Sequence, residues 1–203
     1  MYILENNQLR IQVASMGAEL KSLYCKRKNK EHLWQGDPKW WGRSAPHLFP
    51  RIGFETNEYI KKNNIVKHGY ARDTEFVLIE ETATFLKFKM KEELTVTYEL
   101  AENNLSISYE VTVDFPFMIG GHPAFNIDRL PTEIHFSSDS KYCLLRDGII
   151  DPTITYPIED KFLIVEEDTF YNDALIFMNF SKLNKIRLGN SIEISYDSEY
   201  LGI

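Results

Sequence analysis

The chain has 203 residues and a formal net charge of −7, which is long enough for one substantial hydrophobic core. So acidic a chain is poorly suited to binding nucleic acid, and no basic run interleaved with aromatic residues argues otherwise. Cys25 and Cys143 lack C-x-x-C spacing, so they indicate neither a disulfide framework nor a zinc site. The first residues show no secretory signal pattern, and no apolar run reaches membrane-spanning length. We therefore expect a cytoplasmic protein with no membrane partner.

A hydrophobic period of two dominates the chain, whereas helical periodicity is scarce. The alternating segments predict short strands, and the polar segments between them predict turns. Segment 101–104 predicts a hairpin turn, because asparagine adopts a positive φ at small cost. Successive short strands of this kind predict one all-β domain over residues 1–203, built as an antiparallel β-sandwich. The predicted strands are 9–13, 20–24, 75–79, 85–90, 94–100, 105–113, 133–136, 185–188 and 192–196.

One long segment, 36–68, interrupts this alternation and is rich in Trp, Pro, Gly and Arg. A loop of that length in a compact domain is usually functional or disordered. Its aromatic residues argue against disorder, which is normally depleted in them. We expect Trp41 or Phe49 to wall a ligand cleft, because ligand sites combine apolar faces with a few placed polar groups.

A histidine at the end of segment 117–126 is the first candidate functional residue. The segment begins as an apolar strand, passes through Gly120 and Gly121, and presents His122 immediately before Pro123. The two glycines permit close approach of backbone or ligand, and the proline pushes His122 into an extended conformation. A histidine placed where a strand breaks into a loop can meet a ligand, although a lone histidine there is more often structural.

Three further places carry polar residues at predicted strand–loop junctions. His68 and Arg72 flank a glycine after the long segment, and Arg43 and Arg51 border rigid prolines within it. Asp173 stands just before an apolar run. Taken singly, Asp173 is more often a turn or cap residue, and Arg72 is more often part of a surface salt bridge.

Four motifs in a fixed order resemble the aldose 1-epimerase (galactose mutarotase) family, and within it the LacX-like branch. They are Ala-Pro-His-Leu-Phe-Pro-Arg-Ile-Gly at 45–53, His-Gly-Tyr-Ala-Arg-Asp at 68–73, Gly-His-Pro-Ala-Phe-Asn at 121–126 and Asn-Asp-Ala-Leu-Ile-Phe at 172–177. The resemblance runs from near residue 3 to the last residue. It implies a galactose mutarotase-like supersandwich, which is a large antiparallel β-sandwich with a sugar site in a cleft. It also implies interconversion of the α and β anomers of an aldose, with no metal and no cofactor.

The resemblance also assigns roles to single residues. In general acid–base ring opening, one group removes the anomeric hydroxyl proton while another protonates the ring oxygen. His122 matches the family's acid, for which a pKa near 6.5 is suitable. His68 matches a second histidine that hydrogen-bonds the sugar, and Asp173 matches an aspartate that binds sugar hydroxyls. The remaining candidate substrate-binding residues in the matching motifs are Arg72, Arg51, Arg43 and Asn126.

The chain departs from the family pattern in two places. Phe54 stands where the family has an arginine or lysine, and Arg51 or Arg43 is the candidate replacement. The family's base is a glutamate in a Glu-Pro-Trp type of motif, and no Glu-Pro pair occurs in the 203 residues. Segment 200–203 resembles the family segment shortly before that glutamate. We therefore expect a domain that is incomplete at its C-terminus, with the closing strands missing, and close to inactive by itself.

Two alternatives to a mutarotase of free aldoses stay open at this point. The first is a non-catalytic carbohydrate-binding or vestigial protein that keeps the cleft and lacks the base. The second is a hexose-phosphate mutarotase, because Arg43 and Arg72 lie in motifs where related proteins hold phosphate. All three hypotheses have a small-molecule sugar as the partner.

Overall fold

The computed structural model describes residues 1–53, 57–146, 149–151, 153–169, 174–178 and 185–196. The chain is nearly all-β with antiparallel sheets, which confirms the predicted fold class. It divides into two compact units, Met1–Asn126 and Ile127–Ile203, while the single domain over 1–203 stays a prediction. Within these described ranges, no helix is long and apolar enough to cross a membrane.

The first unit holds two four-stranded antiparallel sheets and one two-stranded pair. The first sheet has the order β1-β2-β3-β4, the second has the order β6-β7-β8-β9, and β5 pairs with β10. A short helix, α1 (Glu58–Lys62), follows β5 in the chain. The strands are β1 (Tyr2–Glu5), β2 (Leu9–Val13), β3 (Leu20–Cys25), β4 (Lys30–Glu31), β5 (His47–Leu48), β6 (Val77–Glu81), β7 (Phe85–Met90), β8 (Leu94–Ala101), β9 (Asn104–Val111) and β10 (Gly120–Gly121).

The core of the first unit follows from the alternation of apolar residues in its strands. In β2, Leu9, Ile11 and Val13 are buried while the residues between them are only partly covered, as expected for side chains that point to opposite faces of a sheet. They belong to the same buried cluster as Phe88 of β7 and Val96 of β8. Full burial of a side chain such as Phe88 contributes about 1.5–3 kcal/mol, so this cluster stabilises both four-stranded sheets.

Most predicted strands of the first unit agree with the observed ones. The segments 9–13 and 85–90 match β2 and β7 from end to end, whereas β6 begins two residues later than predicted. The turn between β8 and β9 is the predicted hairpin, with Ala101 opposite Asn104. The positive φ of 53° falls on Glu102, however, and not on an asparagine, because the first central position of this two-residue loop needs it.

Segment 36–68 is more structured than its composition predicted. It contains β5 and α1. Helix α1 begins after Asn57, whose side chain accepts a hydrogen bond from the backbone N–H of Ile60 at 2.9 Å. Ile60 is buried, so the helix is anchored by one apolar contact and one N-terminal cap.

The second unit contains two further antiparallel sheets. One has the order β15-β11-β17-β18; in the other, β12 pairs with β13, β14 and β16. Among its described residues, Phe136 and Ile158 form a buried cluster, with Phe177 packed 5.0 Å from Phe136 between ring centroids. Its strands are β11 (Thr132–Phe136), β12 (Ser140–Arg146), β13 (Ile149–Ile150), β14 (Tyr156–Ile158), β15 (Phe162–Val165), β16 (Ala174–Met178), β17 (Lys185–Leu188) and β18 (Ile192–Ser195).

Candidate active site

His122 is held in place by the pairing of β5 with β10. Gly121 lies opposite His47 in the antiparallel register. The pairing continues one residue further, where the backbone N–H of His122 donates to the carbonyl of Pro46 at 3.0 Å. Two motifs that are about 70 residues apart in the sequence thus form one short ribbon. The ribbon leaves the His122 side chain exposed to solvent.

His68 is brought to the same region by a close contact between Gly69 and Phe49. The carbonyl of Phe49 accepts hydrogen bonds from the backbone N–H groups of Tyr70, at 2.9 Å, and of Ala71, at 3.2 Å. Gly69 has a φ of +72°, and a Cβ there would lie 2.0 Å from the Phe49 oxygen, so only glycine fits. His68 itself has a φ of 68°, which is uncommon for a residue with a side chain. The backbone is therefore constrained where the histidine is presented.

The rings of His68 and His122 lie next to each other. Their centroids are 6.1 Å apart and their planes are inclined by 51°. The backbone N–H of Gly53 donates to Nδ1 of His68 at 3.1 Å. Because Nδ1 acts as an acceptor, the neutral His68 ring carries its hydrogen on Nε2. The Nε2–H group is then the donor that His68 can offer to a ligand.

Both histidines are biased towards the neutral form. Burial is the largest cause that lowers the pKa of His68, to about 4, followed by the positive charges of Arg72 and Lys67 and smaller effects of His122 and Arg51. The pKa of His122 is lowered by partial loss of hydration and then by Arg72 and Lys67. At neutral pH both rings are mostly neutral, and the protonated form of His122 is a stronger acid than free histidine.

Trp41 forms an apolar wall beside this pair. Its ring lies 5.2 Å from that of His122 between centroids. Its backbone carbonyl accepts a hydrogen bond from Nε1 of Trp34 at 2.7 Å, which fixes the turn that carries it. Phe49, the other predicted wall residue, is fully buried in the core and packs near the ring of Phe117. Of the two candidates, Trp41 is the one whose ring lies beside that of a candidate site residue.

Arg43 and Arg72 support the turn that follows His68. Arg43 donates from Nη1 to the carbonyl of Arg72 at 3.2 Å and from Nη2 to Oδ1 of Asp73 at 2.5 Å. Arg72 donates from Nη2 to the carbonyl of Lys67 at 3.2 Å. The charge of Arg43 is thus paired with Asp73 across the short 3-10 turn Ala71–Asp73.

Arg51 and Asn126 also bond to the backbone of nearby loops. Arg51 donates from Nη1 to the carbonyl of Ile65 at 2.7 Å, which fixes the segment leading to His68. Asn126 donates from Nδ2 to the carbonyl of Leu33 at 2.8 Å. Both side chains hold loops of the first unit, and Arg51 adds positive charge near His68.

The sequence is similar to those of one known protein family. The profile of a family described as aldose 1-epimerase matches residues 1–168. The chain belongs to the aldose 1-epimerase family. Its relatives include the plasmid and chromosomal LacX proteins of Lactococcus lactis subsp. lactis, each 32% identical over 96% of this chain and 79% of the relative. The predicted LacX-like branch is therefore confirmed.

Solved structures from lactobacilli share the fold of this aldose 1-epimerase family member. A galactose mutarotase related enzyme from Lactobacillus acidophilus superposes with a TM-score of 0.77 at 25% identity, covering 94% of this chain and 73% of that one. A galactose mutarotase-like protein from Lactobacillus casei has a TM-score of 0.74 at 27% identity, covering 94% of this chain and 76% of that one. These likenesses support the galactose mutarotase-like architecture.

The predicted site residues of this family member are only partly gathered in the described structure. His68 and His122 lie together. Arg43, Arg51 and Asn126 donate hydrogen bonds to backbone carbonyls of the first unit. Arg72 does the same. Asp173 and Phe54 lie outside the described residues. In the ranges that the structure covers, no group of three His, Cys, Asp or Glu is placed to hold a metal ion.

His47 has an environment that sequence reasoning missed. It is 2% exposed, and its ring bonds to the hydroxyl of Tyr98 at 2.6 Å through Nε2 and to that of Tyr109 at 2.9 Å through Nδ1. Burial is the main cause that lowers its pKa to about 4. The signal for this network was present in the alternation of β8, because Tyr98 falls on the same face as Val96, but its partner could not be read from the sequence.

Proposed function

We propose that this protein is an aldose 1-epimerase-like mutarotase that interconverts the α and β anomers of a free aldose. The observation that supports it best is the pair of His68 and His122, whose rings lie 6.1 Å apart at the positions of the family's acid and its partner. Trp41 beside His122 offers an apolar face for the C–H side of a sugar ring.

The proposed chemistry is general acid–base ring opening. A base removes the proton of the anomeric hydroxyl, a C1=O double bond forms, and the bond from C1 to the ring oxygen breaks as His122 protonates that oxygen. The C1 carbonyl then rotates about the C1–C2 bond, and the reverse steps close the ring on the other face of that carbonyl. His68 donates from Nε2–H to a sugar oxygen, and Asp173 is the proposed partner of the sugar hydroxyls.

Polarimetry on freshly dissolved α-glucose and α-galactose tests this proposal. In a form of the protein that carries the family's glutamate base, His122→Ala should lower the catalysed rate by roughly two to four powers of ten, the usual contribution of a positioned proton donor. His122→Gln should be nearly as slow, because it keeps hydrogen bonding but cannot deliver a proton. His135→Ala is the control, since His135 pairs with Glu133 in the second unit and should leave the rate unchanged. A His122→Ala variant as fast as the parent protein would contradict the proposal.

The competing proposal is a sugar-binding protein without catalysis. It is motivated by the missing Glu-Pro pair in the 203 residues. Titration with galactose, followed by NMR of the His68 and His122 rings, separates the two proposals. Shifts of these ring signals without faster anomer exchange would favour a binding protein. Rapid exchange by the 203-residue chain would favour the enzyme, and Glu193 and Glu199 would then be the first residues tested as the base.

A hexose phosphate is the second candidate substrate, and the positive charges of Arg72, Lys67 and Arg51 around His68 favour it. Glucose 6-phosphate and glucose should be compared as substrates or ligands. If the phosphate is the substrate, Lys67→Gln should weaken binding of glucose 6-phosphate and leave that of glucose unchanged, and added salt should act in the same direction. Equal effects on the two sugars would favour the free aldose.

A further inference from the structure

We propose that His47 is a positioning residue for His122, because its buried imidazole ties the ribbon that carries His122 to the core of the first unit through Tyr98 and Tyr109. Two independent connections support this: one through the His47 side chain and one through its backbone. Where it concerns catalysis, the inference rests on the proposed function. The position and ionisation of the His122 ring can be measured without any activity.

The side-chain connection has a defined direction of hydrogen bonding. The hydroxyl of Tyr98 donates to the carbonyl of Ala18 at 2.6 Å, so its oxygen accepts from Nε2–H of His47. Nδ1 of the neutral ring must then accept from the hydroxyl of Tyr109. The bonds run from Tyr109 through His47 and Tyr98 to Ala18. One tautomer of His47 satisfies every group in this chain, which is what a largely buried polar network requires.

The backbone connection leads from His47 directly to the strand of His122. His47 is the register partner of Gly121, and the carbonyl of the preceding Pro46 accepts the N–H of His122 at 3.0 Å. The hydroxyl of Tyr109 lies 3.4 Å from the position that a Cβ on Gly121 would occupy. Tyr109 therefore supports both the His47 ring and the glycine that precedes His122.

A buried carboxylate fixes the residues just before His47. Glu19 is 7% exposed, and its Oε1 accepts from the backbone N–H of Ser44 at 2.5 Å and of Ala45 at 3.2 Å. Hydrogen bonds to a carboxylate are among the stronger ones. The ribbon is thus held at its start by Glu19 and at its centre by the imidazole of His47.

His47 has no route to a direct catalytic role. It is 2% exposed, and both ring nitrogens are already bonded to tyrosine hydroxyls. Its lowered pKa keeps it neutral at neutral pH, so it adds no positive charge to those that already act on His122. A phenylalanine would fill a similar space but make neither bond, whereas a glutamine offers one donor and one acceptor.

Two isosteric substitutions provide a matched test. Tyr109→Phe removes the hydroxyl that lies beneath Gly121, while Tyr98→Phe removes the hydroxyl at the far end of the network. We expect both to lower stability against urea. Both should shift the titration midpoint and the ring signals of His122 in two-dimensional ¹H–¹⁵N NMR, and Tyr109→Phe should shift them further, because its hydroxyl also lies against Gly121. If both variants leave the His122 signals superimposable on those of the parent protein, the network is merely structural and the inference is wrong.

Substitutions at His47 complete the test. His47→Phe should move the His122 signals as Tyr109→Phe does and lower kcat about tenfold with little change in KM, and His47→Gln should recover part of both effects. If the parent protein shows no mutarotation but the His122 signals still move, the positioning role stands while the proposed function fails. Active enzyme with unmoved His122 signals and unchanged kcat in Tyr109→Phe would overturn the positioning role alone.

Discussion

The location of His68 depends on a single neighbouring glycine. A Cβ on Gly69 would lie 2.0 Å from the carbonyl oxygen of Phe49, at a φ of +72°. We expect Gly69→Ala to lower the free energy of unfolding by about 2 kcal/mol or more, from backbone strain and displacement of Phe49. Urea denaturation measures this. Gly42→Ala is the matched control, since the nearest atom to its Cβ would be 3.8 Å away. Equal losses in the two variants would contradict the steric argument.

The positive charges near His68 and His122 lower the pKa values of both rings. Lys67 is among the causes that lower the pKa of both His68 and His122. Removing its positive charge favours the protonated rings, so Lys67→Gln should raise both pKa values, as measured by NMR titration. If His122 acts as the acid, the rate at pH 7 should rise with its protonated fraction. Lys87→Gln is the control, because Lys87 pairs with Glu110 and is not among these causes. A lowered pKa in Lys67→Gln would contradict the argument.

At the scale of single residues, the local sequence identifies functional candidates whose neighbours restrict the backbone. His68 and His122 were found because a glycine or a proline adjoins each of them. His47 was missed because its role depends on two tyrosine hydroxyls from β8 and β9, more than 50 residues away. A buried histidine with both nitrogens bonded differs from an exposed one only in its three-dimensional contacts, which local sequence does not encode.

At the scale of elements, alternation predicts long strands and misses very short ones. Strands β2 and β7 were predicted from end to end because each buries every second residue. Strands β5 and β10 have two residues each, too few to show a period. Their pairing is the feature that brings His122 to its place. The element most important for the candidate site is therefore the one with the weakest local signal.

The hairpin between β8 and β9 permits a test of local strain. Glu102 has a φ of 53°, a conformation that costs a residue with a side chain more than it costs glycine. We expect Glu102→Gly to raise the free energy of unfolding by about 0.5–1 kcal/mol. Glu102→Ala is the control, since it removes the same charge but keeps the Cβ. If alanine stabilises as much as glycine in urea denaturation, charge and not backbone strain explains the effect.

For the whole molecule, the sequence predicts the class of fold. It predicts only in part which motifs come together in the folded chain. Repeated alternation with polar turns indicated an antiparallel all-β chain, as observed. Motif order indicated the family, which the sequence profile shows. The division into two compact units was not predicted, because no composition shift marks position 126. His47, His68 and His122 all fall in the first unit, so its folding governs all three.

The three histidines should make the stability of the protein depend on pH in one direction. Their pKa values are lowered in the folded state, to about 4 for His47 and His68 and in the same direction for His122. The unfolded chain has a histidine pKa near 6.5. Between pH 6.5 and 4 the unfolded state therefore binds protons that the folded state does not. The stabilisation is complete above pH 6.5 and is lost as the pH falls towards 4.

His47 offers the clearest test of this dependence because its ring is fully buried. Its contribution to the loss of stability between pH 7 and pH 5 is on the order of 2 kcal/mol. His47→Phe removes the titrating group, so its free energy of unfolding should fall less between these pH values than that of the parent protein. Tyr98→Phe weakens the same network but keeps the imidazole, so it should be less stable at both pH values with the slope retained. Urea denaturation at pH 7 and pH 5 measures both, and an unchanged slope in His47→Phe would show that His47 is not the group that titrates.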